Sequence, residues 1–152
     1  MSLEIEILTS TMDLVGVVQQ VNGADWDEQN EIELYSVDAL KAYLEKQDAI
    51  FILCYLIDET GSTLAGMASG RIEQKPYDHY KWLYVDEVDT CANLRQRGVG
   101  TALMHKLLEI ADDRDCEEVW LGAEASNVVA TQFYESLNPT AVDEVIGYTF
   151  GL

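Results

Sequence analysis

The sequence predicts a mixed α/β sheet covered by helices, and three observations carry that expectation. Short apolar runs of strand length alternate with segments whose apolar residues recur at helical spacing. The middle of the chain reads as strands that follow one another through turns, and the rest as helix–strand pairs, an order that argues for a mixed sheet. With 152 residues, 48% of them hydrophobic, the chain is long enough to bury the core of one domain spanning 1–152.

The elements follow in order. Leu3–Leu8 reads as a first strand, after which Ser10 and Thr11 offer an N-cap to a helix with Leu14, Val17, Val18 and Val21 on one face. Ser36–Gln47 repeats that signature, with Val37, Leu40, Tyr43 and Leu44 as the apolar stripe. The stretch between these helices, residues 25–33, is strongly acidic and holds Trp26. Ala49–Ile57 is a buried strand, Glu59-Thr-Gly-Ser62 its turn, and Thr63–Glu73 the returning partner. Lys81–Asp89 is a further strand. Gly98–Arg114 is the strongest helix, with Val99, Leu103, Leu107 and Ile110 at helical spacing. Glu118–Ala123 reads as a strand, Ser126–Leu137 as a helix and Val142–Phe150 as a last strand.

Charge narrows the partners. Nine Lys+Arg against 28 Asp+Glu give a net charge of −19, which repels phosphate backbones and anionic bilayers. Nucleic acid and membrane are therefore excluded as electrostatically held partners, and cationic small molecules are favoured. A solvating acidic surface suited to high salt explains the same number, and both readings stay open. No apolar run approaches the roughly 20 residues of a membrane span, and Met1–Ile7 carries two Glu where a signal peptide carries Lys or Arg. A cytoplasmic protein is expected. Cys54, Cys91 and Cys116 match neither a disulfide framework nor a metal site, and His79 and His105, alone in sequence, read as surface residues. Trp26, with Tyr77 and Tyr80, is a candidate for lining a ligand pocket.

One segment carries chemistry: Val88-Asp-Thr-Cys-Ala-Asn-Leu-Arg-Gln-Arg-Gly-Val-Gly-Thr101, a strand leading through a loop into the strongest helix. The helix N-terminus offers unpaired N–H groups and the positive end of its dipole, and two glycines let a ligand approach the backbone. Arg95 and Arg97 reverse the sign of an otherwise acidic chain there. The segment lacks the Gly-Lys-Ser/Thr of a Walker loop and the third glycine of the dinucleotide fingerprint. What remains is a phosphate or pyrophosphate cradle of another kind.

Arg95-Gln-Arg-Gly-Val-Gly100, followed by Thr101-Ala-Leu-Met, resembles the R-x-x-G-x-G/A acetyl-CoA pyrophosphate loop of the GNAT superfamily of N-acetyltransferases. Asn127-x-x-Ala130-x-x-Phe133-Tyr134-x-x-Leu137 resembles that family's late helix, where a tyrosine faces the coenzyme sulfur. From Leu64 to Phe150 the chain is also similar to the GNAT-type aminoglycoside 3-N-acetyltransferases, in Tyr84–Asp89 and in the ending Asp143-Glu-Val-Ile-Gly-Tyr-Thr-Phe150. Two positions depart from the family: Thr90 stands where an apolar residue is usual, and Asn138-Pro139 where the late helix usually ends in Gly-Phe. Asn tolerates the left-handed conformation that Gly supplies after a helix.

The resemblance implies the GNAT fold, with a mixed, mostly antiparallel central sheet flanked by helices. It also implies acetyl-CoA as co-substrate, no metal, and a small-molecule amine as acceptor, with a homodimer left open. Coenzyme contacts fall on Val88, Thr90, Arg95, Gln96, Arg97, Gly98, Val99, Gly100, Thr101, Asn127 and Ala130. A backbone N–H at Val88 serves the thioester carbonyl, and Thr90 holds the pantetheine arm. Acetyl transfer needs a neutral amine and a proton for the leaving thiolate; the resemblance points to Glu87 for the first and Tyr134 for the second. Strand alternation places Glu87 and Asp89 on one face and Asp86 with Val88 on the other, so Asp86 is secondary to Glu87; Asp86 and Asp89 are supporting contacts to a cationic substrate, and the resemblance implies a further one at Glu124, where those enzymes carry an aspartate. A non-catalytic acyl-CoA-binding module and a protein or peptide N-acetyltransferase are the alternatives.

Overall fold

The computed structural model describes all 152 residues, Met1–Leu152. Five strands, β1 (Ser2–Ile7), β2 (Ala49–Asp58), β3 (Gly61–Gln74), β4 (Lys81–Thr90) and β5 (Glu118–Trp120), form one sheet in that order. The first four run antiparallel, and β5 pairs parallel to β4 only at Trp82–Tyr84. The mixed, mostly antiparallel sheet expected from the sequence is thus present. The turn between β2 and β3 is tightened by the Asp58 carboxylate, which accepts from Thr60 N–H at 2.8 Å.

Helices cover both faces of the sheet. α1 (Leu14–Gly23) and α2 (Val37–Leu44) bury Leu14, Val17, Val18, Val21 and Leu40 against Phe51, Leu53, Leu64 and Met67. α3 (Val99–Asp113) lies on the opposite face and buries Val99, Leu103, Met104, Leu107 and Ala111. Its approach is close enough that a Cβ built at Gly66 of β3 would fall 2.6 Å from Val99 Cγ1 and 2.8 Å from the Asp89 carbonyl oxygen. Ser36 caps α2, accepting from Ala39 N–H at 3.2 Å. α1 is capped by Asp13 and not by the expected Ser10 or Thr11: the Asp13 carboxylate accepts from Gly16 N–H at 3.2 Å, so the helix starts later.

Two bulges reset the side-chain alternation. In β3, Ala65 is skipped between the pairs Cys54↔Gly66 and Tyr55↔Leu64. In β4, Asp86 is skipped between Gly70↔Val85 and Ser69↔Glu87. Leu83 and Val85 therefore face α3, whereas Glu87 and Asp89, of the same parity, face the side of α1 and α2.

The chain divides into two compact units, Met1–Trp120 and Leu121–Leu152, each described by itself. The second holds α4 (Val128–Ser136), capped by Asn127, whose side-chain oxygen accepts from Ala130 N–H at 3.1 Å. Asn138 follows the helix at φ 57°, the left-handed conformation its position requires. The strand expected at Val142–Phe150 is absent: the segment is irregular, with Val142, Val145, Ile146, Tyr148 and Phe150 exposed. Alternating apolar residues make a strand only beside another strand, and the second unit contains none. The strand expected at Glu118–Ala123 likewise stops at Trp120. No helix is long and apolar enough to cross a membrane, and all three cysteines are free.

Candidate active site

The β4 bulge places two consecutive carboxylates on one cleft. Asp86 and Glu87 both line a cavity of about 210 Å³ with Tyr35, Ser36, Ala39, Leu40, Tyr43, Phe51 and Ser69. This corrects the placement of Asp86 on the opposite face with Val88. A bulge residue has no cross-strand partner, so the alternation that assigned it breaks at that point.

The aromatic part of the cleft lining is fixed. Phe51 sits between two tyrosines, with ring centroids 6.0 Å from Tyr35 and 6.3 Å from Tyr43, both near perpendicular. Tyr43 Oη lies 2.7 Å from the Gly70 carbonyl and 3.0 Å from that of Ile50, which pins α2 to the sheet. Asn22 of α1 holds the Tyr35 backbone twice: its Nδ2 donates to Tyr35 O at 3.0 Å, and its Oδ1 accepts from Tyr35 N–H at 2.8 Å.

Asp89 lies deeper on the same face, 4% exposed, and its Oδ2 is buried without a hydrogen-bond partner. Burial, the nearby Glu87 charge and a hydrogen bond with Glu87 push its carboxyl up to about 7, opposed by the Asn30 side chain. Glu87 is also raised, by burial and then by Asp86, while the hydrogen bond with Asp89 lowers it. Of the two, Asp89 is the partner that keeps its proton to higher pH and Glu87 the one that ionises first. Burial, then Glu87 and Asp89, raise the Tyr35 hydroxyl far above its ordinary range, so it stays a neutral donor.

Beyond the acids lies the expected cradle. After Tyr84 the strand β4 keeps β3 as neighbour but loses β5, so the edge carrying Val88 and Thr90 is unpaired on that side. A 3₁₀ turn (Ala92–Leu94) then leads to Gln96 at φ 59° and Gly98 at φ 82°. α1, α2 and α4 each have a side-chain cap, whereas Gly98 gives α3 none. The first-turn N–H groups of Val99, Gly100 and Thr101 thus keep their capacity for an anion. This uncapped, glycine-marked start fits the diphosphate of acetyl-CoA. Of the two loop arginines, Arg97 is exposed and Arg95 is ion-paired with Asp27. The acidic stretch is tied to this loop further by the Trp26↔Cys91 bridge and by Ala92 N–H donating to Asp25 O at 2.7 Å.

The model of the Acetyltransferase (GNAT) family matches residues 18–138. The chain belongs to the GNAT family. This GNAT protein is accordingly an acetyl-CoA-dependent N-acetyltransferase. Among solved structures it is similar to an aminoglycoside acetyltransferase from an uncultured soil metagenomic sample in complex with sisomicin (20% identity, 99% of this chain and 96% of that one, TM-score 0.83). A second aminoglycoside acetyltransferase from such a sample is also similar (18%, 100% and 99%, TM-score 0.82). So is a ribosomal-protein-alanine N-acetyltransferase from Brucella melitensis biovar Abortus 2308 (17%, 99% and 100%, TM-score 0.71). At these identities the likeness is one of fold. No curated protein sequence matches the chain.

Four expected site residues belong to the second unit. Glu124 is exposed, Asn127 and Ala130 form the cap of α4, and Tyr134 is half-buried with its ring centroid 5.1 Å from that of Phe133. Trp26 donates from Nε1 to Val21 O at 2.7 Å and packs against the core, and neither it nor Tyr77 and Tyr80 lines the cleft of Glu87. Tyr35 and Ser69 escaped the sequence reading. Tyr35 had a signal: it precedes the Ser36 cap and sits five residues before Leu40, the spacing of a hydrophobic staple.

Proposed function

We propose that this GNAT enzyme acetylates a primary amine of a cationic small molecule, of the aminoglycoside or polyamine kind, by direct transfer with both substrates bound. The observation that carries this reading is the cleft itself, lined by two carboxylates from one strand together with Tyr35, Tyr43 and Phe51. An ammonium group is held there by charge and by the ring faces. The soil aminoglycoside acetyltransferases of like fold agree with that acceptor class.

In the proposed reaction Asp86 and Glu87 orient the ammonium group, and Glu87 takes its proton. Acetyl-CoA supplies an acyl group activated as a thioester. The amine nitrogen forms the new bond to the acyl carbon as the carbon–sulfur bond breaks. The Tyr134 hydroxyl gives its proton to the departing sulfur and is restored by the second proton that the nitrogen sheds as the amide forms, an assignment that rests on the late-helix resemblance. Residues Arg95–Thr101 hold the diphosphate, Val88 and Thr90 the pantetheine arm, and Asn127 and Ala130 complete the coenzyme contacts. The two units act as one GNAT domain, since the family match runs across residue 120. Glu124 contributes a further cation contact.

A free-thiol assay with acetyl-CoA and a panel of aminoglycosides, polyamines, amino acids and lysine peptides tests the reading. Thiol release with the polycationic amines is expected. Release with peptides alone makes the acceptor a protein, and binding of acetyl-CoA without release for any amine makes the chain a non-catalytic module.

A further inference from the structure

We propose that Asp89 is a positioning residue for Glu87: buried beneath it and protonated, it donates a hydrogen bond that fixes the Glu87 carboxylate and leaves the remaining lone pairs aimed into the cleft. The inference rests on the reading of Glu87 as the group that accepts the amine proton.

Register and burial carry it. The β4 bulge turns Glu87 and Asp89, two positions apart, to the same side, paired with Ser69 and Met67. Asp89 is 4% exposed there. An ionised carboxylate so enclosed requires donors for both oxygens or a cation beside it. Oδ2 has no hydrogen-bond partner. The polar groups that face the pair from the surrounding elements are Asp86 on β4, Ser69 on β3, Tyr35 ahead of α2 and Asn30 from the turn after α1, with Ser36 and Tyr43 lining the same cleft. None is a cation. Arg71 acts on Asp86 and Tyr43 and is ion-paired with Glu73. A protonated Asp89 resolves the conflict, because its hydroxyl has one charged acceptor at hand, Glu87. The rise of Asp89 to about 7 agrees with that geometry. The arrangement also gives Glu87 its reacting orientation without a cation that would compete with the ammonium group for it.

Two substitutions and one spectrum test this. Asp89→Leu, of similar size, removes the donor; kcat is expected to fall by roughly 10-fold or more, with KM within about threefold. Asp89→Asn keeps an N–H donor that does not titrate. It should recover most of that loss and lack an inflection near pH 7 that wild-type kcat shows. Melting curves of both variants confirm folding. Infrared spectra of the free protein should show a protonated-carboxyl band at pH 6 that disappears on titration through about 7 and is missing from Asp89→Asn. Equal losses in the two variants with the inflection retained, or a band indifferent to Asp89→Asn, overturns the proposal. The infrared arm needs no acceptor. A band that behaves as expected in a protein that acetylates no amine would thus overturn the functional reading alone.

Discussion

Asp89 is raised from an ordinary 3.8 to about 7 by its surroundings, which makes it a liability to stability as well as a neighbour of the reacting carboxylate. Below its unfolded value the residue is protonated in both states and costs nothing. Between about 4 and 7 the native state binds the proton that the unfolded chain releases, so stability falls as pH rises through that window and then levels off. Replacing Asp89 with Asn removes the penalty. The variant should match wild type near pH 4 and exceed it at pH 8 by up to ~4 kcal/mol, the scale of a shift of about three pKa units. Urea unfolding at the two pH values measures it, and an equal difference at both would show that Asp89 is not held protonated by the fold. Tyr35 belongs to the same network, and two hydrogen bonds to Asn22 fix its backbone.

Among the elements, the start of α3 and the bulge of β4 matter most. Gly98 opens α3 at φ 82° without a side-chain cap, and a Cβ there would meet only Leu3 Cδ1, at 3.9 Å. Gly98→Asp and Gly98→Asn therefore carry a similar backbone cost, on the order of 1 kcal/mol, and differ in charge. Calorimetric titration with acetyl-CoA should show Asp weakening binding roughly 10-fold or more relative to Asn. Equal affinities would remove the diphosphate from this loop. The loop and helix were legible because glycine, arginine and apolar spacing are local signals. The β4 bulge was not: Asp86 is neither glycine nor proline, and the mismatch exists only between β4 and its partner β3. For the same reason the pairing of Glu87 with Asp89 could be read from alternation while the side of Asp86 could not. Val142–Phe150 failed differently, since its alternation was real and its partner strand was missing.

Across the whole molecule, a net charge of −19 sets the long-range field in which substrates arrive. An acceptor drawn in by that field is released by salt, because the Debye length shrinks from about 10 Å at 0.1 M to about 3 Å at 1 M. KM for a polycationic amine should rise several-fold over that range, with kcat little changed. A KM indifferent to salt would assign the acidity to solvation, the reading the composition left open. Whether Glu87 takes the proton of the bound amine is decided by Glu87→Gln. Steady-state kinetics from pH 6 to 9, on the best amine of the panel, should show kcat reduced on the order of 100-fold at pH 7. The gap should narrow towards pH 9 as the amine deprotonates on its own. A variant with parental kcat at every pH, whatever its KM, would mean that Glu87 takes no proton from the amine.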